Sequence, residues 1–116
     1  MPKILVISAC TANKNDAVPI PKNAKKTDPT VYLSDNKLAI KLKNTREVVF
    51  SDPRANVGQR STYAFDLYIP TGYAYRHLSP TVCNTLKQLI LSDSISWFFL
   101  SGGYGLIHAL EPATDY

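Results

Sequence analysis

The sequence predicts an α/β domain: three or two layers around a small, mainly parallel sheet with flanking helices. Two unbroken apolar runs carry this reading, Ile4-Leu5-Val6-Ile7 near one end and Ile95-Ser96-Trp97-Phe98-Phe99-Leu100 near the other. Such runs suit parallel strands covered on both faces. The third observation is the helix between them. Ser79-Pro80 pairs a capping hydroxyl with proline at the first helical position. Val82, Leu86, Leu89 and Ile90 then form one apolar stripe, and Asp93-Ser94 closes a helix over 80–91 directly before the second strand. That order is what a right-handed crossover between parallel strands requires. The Ile4 and Trp97 strands are therefore expected to be neighbours or near neighbours in one sheet.

In chain order, the first strand stops at Ser8-Ala9-Cys10-Thr11, where residues become small and polar. From 12 to 36 the chain is rich in Asn, Lys and Pro without a hydrophobic period, so a long polar insertion is expected. Two readings compete for 35–50. Ser34 is placed to cap a helix running to Phe50, with Leu38, Ala39, Leu42 and Val49 on one face. Alternation of Leu38, Ile40 and Leu42 before Asn44-Thr45 suits a hairpin instead. Residues 51–62 are punctuated by Pro53 and Gly58 and read as loop. Tyr63 to His77 is rich in tyrosine interleaved with Arg60, Asp66, Arg76 and His77, and Pro70 and Gly72 put a turn at 69–72.

At 116 residues, with 45% hydrophobic and 19% charged residues, the chain is bounded to one globular domain. Its formal charge of +4 is unevenly spread, for residues 1–60 carry a net +6 and residues 61–116 a net −2. A basic half attracts polyanions, and a solvated lysine-rich loop has the same composition. Cys10 and Cys83, the two cysteines, lack metal spacing and form no disulfide framework. A reducing, cytoplasmic setting is expected, with no membrane span, no metal and no cofactor.

The candidate site is Ser101-Gly102-Gly103-Tyr104-Gly105, which holds three of the five glycines at the C-terminal end of a strand. Open α/β sheets bind ligands at that end, and glycines let backbone N–H groups approach an anion. A plain tight turn uses the same residues. If the two strands are parallel, Ser8, Cys10, Thr11 and Lys14 join this edge as ligand-binding candidates. Tyr68 and Tyr104 are candidates for stacking on a base. Asp66 and Glu111 are candidates for acid/base chemistry or for holding ribose hydroxyls. Cys10 is a possible nucleophile or a small packing residue; His77 and His108 receive no role.

Several stretches together resemble the YaaA-like group. These are Leu5-Val6-Ile7-Ser8-Ala9-Cys10-Thr11, then Asp66-Leu67-Tyr68, then Phe99 to Ile107 with Glu111-Pro112. The resemblance implies an α/β fold and a nucleic-acid-related or oxidative-stress role. It also implies the N-terminal part of a longer protein, because the acidic-proline segment normally leads into more chain. The expected partners are a nucleotide-like small molecule or nucleic acid, together with the rest of that longer chain. Two functions follow. One is an enzyme-type site binding a nucleotide, nucleoside or modified base at Ser101 to Gly105. The other is a non-enzymatic nucleic-acid-binding module using Lys22, Lys25, Lys26, Lys41 and Lys43.

Overall fold

The computed structural model describes residues 3–9, 18–52, 62–69 and 77–114. The expected strands are present as β1 (Ile4–Ala9) and β3 (Ile95–Ser101), paired in parallel with Ile4 opposite Ile95 and Ala9 opposite Leu100. Between them lie α1 (Pro29–Tyr32), α2 (Asn36–Phe50), β2 (Thr62–Tyr63), α3 (Ala64–Tyr68) and α4 (Pro80–Leu91). After β3 come β4 (Gly105–His108) and β5 (Pro112–Ala113). One sheet has the order β1-β3-β4, and β2 and β5 form a separate antiparallel pair.

The sheet is mixed rather than mainly parallel, because β4 runs antiparallel to β3 with Ser101 opposite Gly105. The glycine turn is too short for anything else, since a parallel return needs a crossover of a dozen residues or more. β3 is thus the middle strand. Its side chains alternate, with Ile95, Trp97, Phe99 and Ser101 buried, Ser96 and Phe98 half-buried and Leu100 exposed. β1 lies at the end of the order, and Ile4, Leu5 and Ile7 are more than half exposed, which corrects its expected cover on both faces.

α3 and α4 cover the Trp97-Phe99 face. Phe65 meets Trp97 edge-on at 6.0 Å between ring centres, and Tyr68 tilts against Phe99 at 4.9 Å. Ser79 Oγ accepts from the Val82 N–H, capping α4 over the expected bounds. The buried stripe of α4 is rotated by one position from expectation. Cys83, Leu86, Ile90 and Leu91 pack into the core, whereas Val82 and Leu89 stay exposed. Lys87 shares the inner side, its Nζ 2.7 Å from Asp66 Oδ2.

Residues 36–50 form the helix, not the hairpin, and Asp35 caps it in place of Ser34 by accepting from the N–H groups of Lys37 and Leu38. Its inward positions are Ala39, Leu42, Arg46 and Phe50; Leu38 and Val49, expected on that face, are exposed. Arg46 donates to the carbonyls of Tyr104, the residue before β4, and Leu106 on it. Two carbonyls at i and i+2 are what an unpaired strand edge presents, and the guanidinium satisfies them without another strand. Within the polar insertion, α1 is capped by Asp28, which accepts from Thr30, with Pro29 at the first helical position. Of the loop expected at 51–62, residues 53–61 lie outside the described residues and Thr62 belongs to β2; 70–72 of the turn expected at 69–72 and residues 12–17 of the insertion also lie outside them.

Candidate functional site

The glycine segment is a turn between antiparallel strands. Ser101 Oγ accepts from the N–H groups of Gly103 (3.2 Å) and Tyr104 (3.0 Å), and from the Tyr68 hydroxyl at 3.1 Å. Two of the donors expected to form an anion nest are therefore engaged by the turn's own serine. Tyr104 is buried, its hydroxyl both donating to the Thr114 carbonyl and accepting from the Thr114 N–H. Gly102 is exposed with open space around its Cα, and Gly105 takes φ +69°. Tyr68, a candidate for stacking on a base, is fully buried and bonds this turn through its hydroxyl. Ser8 Oγ accepts from Trp97 Nε1 at 2.9 Å. Cys10, Thr11 and Lys14 lie outside the described residues.

The two carboxylates named as acid/base candidates stand apart, each in an ion pair. Asp66 is held by Lys87, whose ammonium also lies 5.3 Å from the Tyr63 ring centre. Glu111 is buried, and four donors reach it. Arg46 Nη1 lies 2.8 Å from Oε1; Arg46 Nη2, the Tyr32 hydroxyl and the His108 N–H reach Oε2 at 3.2, 2.7 and 2.9 Å. Burial works against the Arg46 charge, and its bonds and attraction to Glu111 override it, so the guanidinium titrates above its ordinary value. Tyr32 is pushed above the ordinary phenol value by burial first and by the Glu111 charge second. This network ties α1, α2 and the β4–β5 turn into one unit. Among the described residues, no three His, Cys, Asp or Glu side chains gather to hold a metal ion.

Beside that network lies a groove of about 560 Å³ between β1, α1 and β4. Leu5, Val31, Phe98 and Leu110 give it apolar walls, and Lys3, Lys25 and Lys26 are among its lining residues. Tyr32 and His108 complete it, their rings stacked at 27° with centres 5.9 Å apart, and both meet Phe98 edge-on. Lys25 pairs with Asp93 at 3.0 Å, and both groups are well exposed, so this bond is weak and exchangeable. His108 Nδ1 accepts from the Leu110 N–H at 3.0 Å. Burial holds its imidazole below the ordinary value, against the pull of Glu111 and Asp93 and with help from Lys25 and Lys3.

The groove is built largely from residues that sequence reasoning left aside. Tyr32 sat inside a stretch read as loop, although Asp28-Pro29 is the same capping signature that located α4. Arg46 has Ala39 and Phe50 seven and four residues away on the inward side of α2, and no local pattern distinguishes a buried arginine from a solvated one. In the sequence Lys25 carries no signal beyond its charge. Phe98 was expected to be a packed strand residue, and on the half-covered face of β3 it faces the groove instead. No described helix is long and apolar enough to cross a membrane. Comparison with protein families, with curated proteins and with solved structures returned no match.

Proposed function

We propose that the domain binds a nucleotide, nucleoside or modified base, and that the ligand lies in the groove between β1, α1 and β4. One observation carries the reading. A concavity large enough for a nucleotide brings three lysines against a cluster of three unsaturated rings, Tyr32, Phe98 and His108. A flat base suits the ring and apolar walls, while Lys3 and Lys26, with Lys25 exchanging Asp93 for phosphate, suit the charged end. The YaaA-like landmarks point toward the same nucleic-acid-related role.

The reading concerns binding: Asp66 and Glu111 each stand in an ion pair and neither lines the groove. Calorimetric titration with AMP at low salt tests it. The wild type should bind, and the Lys3→Ala/Lys26→Ala variant should bind about tenfold more weakly, a modest share of the salt-sensitive phosphate contribution. A wild type that binds none of the four common nucleoside monophosphates and none of their nucleosides refutes the proposal. If a variant of the exposed residues Lys22, Lys41 and Lys43 abolishes oligonucleotide binding while the groove variant does not, the binding-module reading takes its place.

A further inference from the structure

We infer that His108 is the specificity-determining donor of this groove, and that the ligand must present a lone-pair acceptor to its Nε2–H. The acceptor is a ring nitrogen, a carbonyl oxygen or a phosphate oxygen. The inference rests on the groove reading above and adds which chemistry the groove selects.

The argument begins with the ring's other nitrogen. Nδ1 accepts from the Leu110 N–H, and a nitrogen that accepts carries no proton, so the neutral imidazole is assigned its proton at Nε2. Among the described residues no protein group bonds Nε2, yet no buried side-chain nitrogen or oxygen there lacks a partner. Nε2 is therefore accessible, and the cavity that the ring lines is the groove. The ring cannot readily turn over. Tyr32 stacks on it, Phe98 meets it edge-on, and the His108 N–H is anchored on the Glu111 carboxylate. Flipping would put the Cδ2–H where Nδ1 accepts and lose the Leu110 bond, and moving the proton to Nδ1 would set two N–H donors against each other. Burial keeps the ring neutral near pH 7, so the fixed tautomer is the form a ligand meets. A group fixed as a donor accepts an acceptor and leaves a ligand donor unpaired, and this difference is what confers selectivity.

Two isosteric substitutions separate this role from support of the turn. In His108→Asn the side-chain oxygen occupies the Nδ1 position and keeps the Leu110 bond, with nothing at Nε2. In His108→Gln an amide nitrogen reaches the Nε2 position and the Leu110 bond is lost. Wild type and both variants are titrated with AMP, adenosine and inorganic phosphate, and their melting temperatures are recorded. The expected result is a His108→Asn protein with wild-type melting and about tenfold weaker AMP binding, the loss of one well-placed hydrogen bond. His108→Gln should melt lower and keep its affinity within about threefold. A loss shared by phosphate puts the acceptor on the phosphate, and a loss shared by adenosine puts it on the nucleoside. If AMP binds the wild type and His108→Asn equally, the inference falls while the groove reading stands. If neither these probes nor the other three common nucleoside monophosphates and their nucleosides bind the wild type, both fall together.

Discussion

Replacing Arg46 with Met tests the energetic centre of the fold. Methionine fills much of the volume of the arginine stem, so the change removes charge and donors more than packing. It leaves the Glu111 carboxylate, with a side chain 4% exposed, on two donors, the Tyr32 hydroxyl and the His108 N–H. It also strips the carbonyls of Tyr104 and Leu106 of their guanidinium donors. Removing one partner of a buried pair typically costs about 3–5 kcal/mol, and the donors retained by Glu111 place this case near 3. The carbonyls add about 1 kcal/mol more, for a total near 4. A domain of this size has about 5–15 kcal/mol in all. With a urea m-value of about 2 kcal/mol/M, the unfolding midpoint should drop by about 2 M. A double-mutant cycle with Glu111→Gln should show coupling of about 2 kcal/mol or more, because the second change removes the orphaned charge. A loss below about 1 kcal/mol, the range of exposed pairs, or simple additivity would refute the buried clamp.

The glycine turn supplies a paired prediction. Gly105→Ala should destabilise by about 1–2 kcal/mol, since φ is +69° and the new Cβ would stand 3.2 Å from Leu42 Cδ1. Gly102→Ala, with nothing within 4 Å, should stay within about 0.5 kcal/mol, both read by urea denaturation. Acid should weaken the domain through His108. Its folded value lies below 6.5, so the unfolded chain binds more protons as pH falls through 6.5, and stability present above that pH is lost on the way down. Glu111, Asp93, Lys25 and Lys3 act on this ring; Asp28 and Asp93 have their own folded values below 3.8, outside the window. Urea midpoints from pH 8 to 5 should therefore fall in the wild type and fall less in His108→Asn.

The strands β1 and β3, their parallel pairing and α4 were legible because each depends on a local signal: an unbroken apolar run, or a serine followed by proline. What failed was cover. Sequence shows that Ile4, Leu5 and Ile7 are apolar, but whether a neighbour lies over them depends on elements far along the chain. The stripe of α4 was read from Val82 and is one position out, since Cys83 and Lys87 take inward positions that hydrophobicity alone would not give them. β4 was missed because the glycines suggested a ligand, and a serine that bonds its own turn's N–H groups cannot be told from one awaiting an anion. The groove was least legible of all. It is assembled from Lys3, Lys25, Tyr32, Phe98 and His108, and only the three-dimensional return of the chain brings them together.

The pairing of Ile4 with Ile95 also governs the order in which the protein can form. Ninety-one residues separate the two, and at about 5–20 residues per second a translating ribosome takes roughly 5–18 s to deliver the second strand after the first. Throughout that interval β1 is an apolar segment without its partner, while α1 and α2 are already available to form. Ring closure across so long a span is entropically costly, so the sheet is a late event that follows helix formation. Newly made chains thus pass through a stage in which an unpaired β-strand is open to other chains, and yield at high expression should depend on whatever shields Ile4 to Ile7 until Ile95 arrives.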